Sequence, residues 1–288
     1  NLPPSILLNA STIRQLAEKL FTYRKSQEDA LVILRQASNN APTLVLFAPL
    51  FGDVIIFRDL LECLPETIGV IGLQSWTQDR KTFGEKSVDE MLDVFLPLMQ
   101  EKLATGPYFL GGFSLGGAMA YQAAYRLQAA GNQIGFVFML DSNGPGVINK
   151  FDLREYIYWF KQQDSLKDRY FFLRRGVLKT IKSVFIQFGM KAQFAKIRTQ
   201  STQGKAQYVP FSVLKKPYSA PVLDVDVFLF TSEQRKNAQS RPKGYALGWD
   251  RVVKGELTVI SLSGSHETHF RGKNAEKIVE VLMPALEE

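Results

Sequence analysis

The stretch Tyr108-Phe109-Leu110-Gly111-Gly112-Phe113-Ser114-Leu115-Gly116-Gly117 sets the reading of the whole 288-residue chain. Tyr108 to Phe113 is a short apolar run of strand length, and helical spacing begins at Leu115 and continues to Ala129. Between them stands Gly112-x-Ser114-x-Gly116, the pattern of a nucleophile elbow. Glycines on both sides of the serine let the chain turn sharply and leave the hydroxyl exposed at the C-terminal edge of a sheet. The strand before and the helix after separate this reading from a chance Gly-Ser turn.

Strands and amphipathic helices alternate on either side of the elbow. Upstream, Ala30 to Leu34 and Thr43 to Ala48 read as strands rich in Val, Ile and Leu, separated by the turn-forming Ser38-Asn39-Asn40-Ala41-Pro42. This pair looks like an antiparallel entry into a sheet. Strand Ile68 to Gln74 and helix Val88 to Leu103 follow, and downstream of the elbow comes strand Gly135 to Leu140. The pattern breaks after Pro145 and resumes with strand Val222 to Thr231, strand Leu257 to Leu262 and helix Ala275 to Leu286. Short apolar strands alternating with amphipathic helices specify an α/β architecture, with a mainly parallel sheet covered on both faces. The middle block is an insertion into it.

An unactivated serine is a poor nucleophile, so a base and an acid are expected later in the chain, in the order Ser, Asp/Glu, His. The base is nearly forced. The chain has two histidines, both in Gly264-Ser265-His266-Glu267-Thr268-His269, just past the strand ending at Leu262. A loop there would emerge at the same sheet edge as Ser114, with His266 the first candidate and His269 the minor one. For the acid, Asp141 directly follows the strand ending at Leu140, and Glu233 lies just past Thr231. Position alone leaves these two nearly even, because an aspartate ending a strand is often only a cap or turn former. An oxyanion hole needs two backbone N–H groups, one from Leu115 after the nucleophile and one from an early loop. Phe47-Ala48-Pro49-Leu50-Phe51-Gly52 supplies that loop. Pro49 has no N–H and Gly52 permits the turn, which leaves Leu50 as the second donor.

Composition narrows the classes further. The 45% apolar content is enough for one sizeable core. A single cysteine, Cys63, rules out an internal disulfide, and two histidines leave little for a His/Cys metal site, so no metal is expected. No run approaches the roughly 20 apolar residues that cross a bilayer, and the start Asn1-Leu2-Pro3-Pro4 does not read as a signal peptide. The expectation is a soluble, cytoplasmic protein with no stable membrane association. Its net charge of +7 is uneven: Lys150 to Lys205 holds 13 of the 35 basic and 4 of the 28 acidic residues, leaving 22 against 24 elsewhere.

With these residues in place, the chain from about Thr43 to the C-terminus resembles the terminal thioesterase domains of non-ribosomal peptide and polyketide synthases. The likeness rests on Ala48-Pro49-Leu50-Phe51-Gly52, Ile71-Gly72-Leu73-Gln74, Gly106 to Gly117, Leu140-Asp141-Ser142 and Gly264-Ser265-His266. It implies an α/β-hydrolase fold with an inserted helical lid, and it favours Asp141 over Glu233 as the acid. The family loop often has His-Pro and a glycine pair, whereas here Ala48 precedes Pro49 and only Gly52 remains. The resemblance also implies that the domain binds no cofactor of its own. The substrate would be an acyl, polyketide or peptidyl chain arriving as a thioester on the 4'-phosphopantetheine of an acyl or peptidyl carrier protein in the same synthase. A stand-alone esterase or lipase with a membrane-facing lid is the alternative enzyme, and a non-catalytic docking module is the alternative outside enzymology.

Two segments extend this picture. The basic block falls where the family carries its lid, giving an insertion at 146–215 within a hydrolase domain of 29–288. Tyr156, Trp159, Phe160, Phe172 and Phe185 are the candidate substrate-facing lid residues, and Arg174-Arg175, the densest charge pair, the candidate carrier-docking site. Interleaved basic and aromatic residues can also bind single-stranded nucleic acid, but on a hydrolase scaffold an acyl-chain cover with a cationic outer face is the better reading, so no nucleic acid is expected. At the other end, Leu7 to Leu20 is similar to the last helix of a carrier protein, with a start at Asn9, Ser11 or Thr12 and apolar residues Ile13, Leu16, Ala17, Leu20 and Phe21 at helical spacing. The serine motif that bears phosphopantetheine is absent, so 1–28 reads as a remnant helix and linker.

Overall fold

The structure, a computed structural model, describes residues 7, 10, 12–16, 30–38, 41–49, 52–75, 86–144, 220–233 and 246–287. Along these residues run β1 (Leu31–Arg35), β2 (Thr43–Phe47), α1 (Arg58–Cys63), β3 (Gly69–Leu73), α2 (Val88–Lys102), β4 (Tyr108–Phe113), α3 (Leu115–Ala129), β5 (Ile134–Leu140), β6 (Val227–Ser232), β7 (Leu257–Leu262) and α4 (Lys273–Glu287). The strands form one sheet in the order β1-β3-β2-β4-β5-β6-β7. Every pairing is parallel except that of β1 with β3. The chain builds outward from β2 in both directions. Loops after β2 and β4 therefore open side by side where the strand order reverses, the usual place for a site in an open α/β sheet.

Side-chain alternation explains the two-sided core. On β2, Val45 and Phe47 join α2 and α3 residues such as Met91, Phe95, Ala118 and Leu127 on one face. Leu44 and Leu46 join Phe57 and Leu60 beside α1, and Ile278 and Leu282 of α4, on the other. Both faces being covered, the central strands are apolar throughout. Ser87 starts α2 through a capping box, its Oγ accepting from Glu90 N–H at 3.2 Å while Glu90 Oε2 accepts from Ser87 N–H at 2.6 Å.

Three details differ from the sequence expectation. β1 is antiparallel, but Leu31 faces Leu73 of β3, so β1 and β2 are not neighbours. Burial accounts for this: Leu44 to Phe47 are fully buried and belong inside the sheet, whereas all of β1 is half-buried and suits an edge. The strand expected from Val222 starts at Val227, with only an isolated bridge from Leu223 to Val253 before it. Asp226 uses Oδ1 to accept from Glu256 N–H at 2.8 Å, a side-chain bond that competes with continuation of the ladder. The short α1 and the 3-10 turn Val54–Phe57 leading into it are too brief to show a period.

Near the N-terminus residues 13–16 are helical, and Thr12 is the cap among the three candidates, its Oγ1 accepting from Gln15 N–H at 3.2 Å. Ile13, assigned from spacing to the apolar stripe, is 88% exposed. The rest of that helix, and the whole of the proposed lid with Tyr156, Trp159, Phe160, Phe172, Arg174, Arg175 and Phe185, lie outside the described residues. Among those described, no helix is long and apolar enough to cross a membrane.

Candidate active site

β4 delivers Ser114 into a backbone conformation that L-residues seldom adopt, with φ 57° and ψ −117°. The turn is held by neighbours on three sides. Ser114 N–H donates to the Leu140 carbonyl at 2.9 Å, and the Ser114 carbonyl accepts from Gly117 N–H at 3.2 Å and from Ser142 Oγ at 2.7 Å. Glycine is needed where backbones meet here: a Cβ on Gly112 would collide with the Gly116 backbone, and one on Gly116 with the Phe47 carbonyl. The result is a half-buried Ser114 directly before α3, whose first N–H belongs to the buried Leu115.

Asp141 leaves β5 with φ 51°, its N–H donating to the Phe230 carbonyl at 2.7 Å. Its side chain is buried, and among the described residues three donors reach the carboxylate. Ser232 N–H reaches Oδ1 at 3.1 Å, Ser232 Oγ reaches Oδ2 at 3.1 Å, and His266 Nδ1 lies 2.6 Å from Oδ2. A carboxylate here accepts, so Nδ1 carries the proton and Nε2 is left with its lone pair, the arrangement a general base requires. Phe113, the residue before Ser114, lays its ring 4.7 Å from the His266 ring. Elbow, acid candidate and base candidate are thus brought to one sheet edge. Ser114 Oγ and His266 Nε2 are not hydrogen-bonded to each other in this structure; a base–nucleophile hydrogen bond often tightens only in the Michaelis complex.

The rival residues are placed elsewhere. Glu233 is exposed just beyond β6 and is not a partner of His266. His269 is fully buried, with Nδ1 3.1 Å from the His266 carbonyl and 3.2 Å from that of Ser265. Burial pushes its pKa down to about 4. Leu50 lies outside the described residues. The loop around it is anchored at its ends, where Ala48 N–H donates to the Leu73 carbonyl at 2.8 Å and Gly52 N–H to the Pro49 carbonyl at 2.7 Å. Among the described residues no His, Cys, Asp and Glu cluster could hold a metal.

Sequence reasoning missed the supporting polar groups. Ser232 brackets Asp141, Ser142 ties the nucleophile's carbonyl, and the buried Trp249 Nε1–H donates to the Ser142 carbonyl at 2.9 Å. The available signal was positional: Ser142 and Ser232 are small hydroxyls at the C-terminal ends of adjacent parallel strands.

The chain is similar to several known proteins. Residues 42–156 match the family model of the Thioesterase domain. Over 152 residues the chain is 33% identical to Enterobactin synthase component F of Escherichia coli (strain K12), covering 51% of this chain and 11% of that protein. Over 117 residues it is 32% identical to a non-reducing polyketide synthase of Pseudevernia furfuracea, covering 41% of this chain and 6% of that protein. The chain therefore spans only a small part of the length of these relatives. In fold it is similar to SrfTE, the thioesterase domain described for cyclization of the lipopeptide antibiotic surfactin, with TM-score 0.54 and 17% identity over 91% of this chain and 98% of that one. Sequence over residues 42–156 and fold over most of the chain point the same way: the chain has an α/β-hydrolase fold, and it resembles the thioesterase domains of nonribosomal peptide and polyketide synthases.

Proposed function

We propose that this domain releases an acyl, polyketide or peptidyl chain delivered as a thioester on a carrier protein's 4'-phosphopantetheine arm. Ser114 is the nucleophile, His266 the general base and Asp141 the residue that orients it. The observation that carries this reading is the 2.6 Å contact from His266 Nδ1 to the buried Asp141 carboxylate, beside an elbow whose Phe113 touches the same imidazole.

In this reading Ser114 Oγ attacks the thioester carbonyl carbon and its proton passes to His266 Nε2. The Leu115 N–H at the start of α3 and the Leu50 N–H stabilise the oxyanion, and the positive end of the helix dipole adds to them. Collapse of the tetrahedral intermediate breaks the C–S bond. The proton on His266 goes to the departing pantetheine sulfur, and an acyl-serine ester remains. Water, or a hydroxyl or amine of the chain itself, then gives its proton to His266, attacks the ester and returns Ser114, releasing a free acid or a ring. Phosphopantetheine enters as part of the substrate and leaves with the carrier.

The lid residues Tyr156, Trp159, Phe160, Phe172 and Phe185 are assigned to the acyl chain, and Arg174 and Arg175 to the carrier. A cytoplasmic setting suits the lone thiol of Cys63. The test is intact-mass measurement after incubation with acyl-pantetheine thioesters and with a phosphonate of matching acyl chain. One adduct, on Ser114, is expected in the native protein and none in Ser114→Ala. Labelling at another residue, or turnover by Ser114→Ala, would overturn the assignment.

A further inference from the structure

The loop that presents His266 holds a second histidine for which the proposed reaction has no use. We propose that His269 is a positioning residue, whose Nδ1–H ties down the backbone carbonyl of His266 and so fixes the turn from which the base reaches Asp141. This rests on reading His266 as the base.

The hydrogen bonds of the turn carry the inference. The Ser265 carbonyl is already held by main chain, accepting from Thr268 N–H at 3.1 Å and His269 N–H at 3.0 Å. The carbonyl of His266 is different: among the described residues no backbone N–H donates to it, and its partner is His269 Nδ1 at 3.1 Å. Because both carbonyls near that nitrogen only accept, Nδ1 must carry the proton. Nε2 is then unprotonated, buried and, among the described residues, without a hydrogen-bond partner. A fully buried imidazole is thus using one of its two nitrogens, and that one grips the main chain of the base.

Ring packing couples the same residues. Phe113 lies 4.7 Å from the His266 ring, 6.2 Å from the His269 ring and 4.7 Å from the Phe270 ring, and Phe270 meets His269 edge-on at 5.1 Å. His269 therefore touches the base twice, through its carbonyl and through a shared aromatic neighbour that adjoins Ser114. Electrostatics fit as well. Burial disfavours charge on His269 and the nearby His266 adds to this, outweighing the opposite pull of Asp141. The positive charge that develops during the reaction thus has one place to settle, on His266.

Two substitutions separate tether from filler. His269→Asn sets an amide N–H where Nδ1–H stands, and His269→Phe keeps an aromatic ring but has no donor. The expected result is that the Phe variant acylates Ser114 roughly 10- to 100-fold more slowly from an acyl-pantetheine thioester at unchanged KM, the scale of a small misplacement of a catalytic group. The Asn variant should recover most of that loss. With two histidines in the chain, 15N-resolved imidazole spectra supply a readout besides activity. His269 should appear as a single Nδ1–H tautomer, and the Phe variant should give His266 a mixture of tautomers. Equal acylation by the Phe variant and the native protein, equal losses in both variants, or an Nε2–H tautomer at His269 would each overturn the proposal. Should native Ser114 take no label at all, the assignment of the site has failed, while the spectra still decide whether the tether exists.

Discussion

Ser232 holds both oxygens of the Asp141 carboxylate, its N–H donating to Oδ1 and its Oγ–H to Oδ2, each at 3.1 Å. The hydroxyl shares Oδ2 with His266, so it supports the ionised carboxylate that the imidazolium needs opposite it. A hydrogen bond to a charged group contributes about 1.5–3 kcal/mol. Ser232→Ala is therefore expected to lower kcat by roughly ten- to a hundredfold with KM little changed. Steady-state kinetics on an acyl-pantetheine thioester check this, and a loss below threefold would show that the backbone N–H suffices.

The two acid candidates now stand in different surroundings, Asp141 buried against His266 and Glu233 exposed beyond β6. Asp141→Asn should cost about 10⁴ in kcat, since an amide cannot hold the Nδ1–H tautomer or balance the imidazolium. Glu233→Gln should stay within about twofold, as a surface change away from the reacting groups. The inverse ranking would move the acid to the end of β6.

The strong periodic elements were legible from residues alone. β4, α3 and β7 have the bounds that apolar runs and helical spacing gave them; of the two acids that position left nearly even, Asp141, which the family resemblance favours, is the one that meets His266. What was not legible depends on contacts between distant segments. The pairing of β1 with β3 follows from how completely β2 is buried. Ser232 reaches Asp141 because the register sets Leu140 beside Phe230, which no local pattern encodes. His269 lies in a polar run, Ser265 to His269, that gives no sign of burial, and only its neighbours Phe113 and Phe270 explain why the ring turns inward.

Net positive charge is concentrated in the segment Lys150 to Lys205, so if the proposed docking of a carrier at Arg174 and Arg175 is electrostatic it should be sensitive to salt. Arg174→Glu combined with Arg175→Glu should raise KM for carrier-bound substrate and spare a small soluble thioester, which needs no docking surface. In the proposed reading, any advantage of carrier-bound over small soluble substrate should fall as added salt shortens the screening length to about 8 Å near physiological ionic strength. Equal salt slopes for the two substrates would remove the docking role.

The buried His269 makes stability depend on pH in a direction that can be worked out. Its pKa falls from an ordinary 6.5 to about 4 on folding, chiefly through burial, with His266 reinforcing and Asp141 opposing the shift. Between these values the unfolded chain holds a proton that the folded chain lacks. Lowering the pH from 6.5 toward 4 therefore favours unfolding, and the contribution is complete above 6.5 and exhausted below 4. The shift corresponds to a loss on the order of 3 kcal/mol across that window. Urea unfolding followed by tryptophan fluorescence reports it. The native protein should lose stability between pH 6.5 and 4.5 more steeply than His269→Phe, since carboxylates elsewhere contribute equally to both and cancel in the difference. Parallel curves for the two proteins would mean that His269 titrates normally, and hence that its ring is open to solvent.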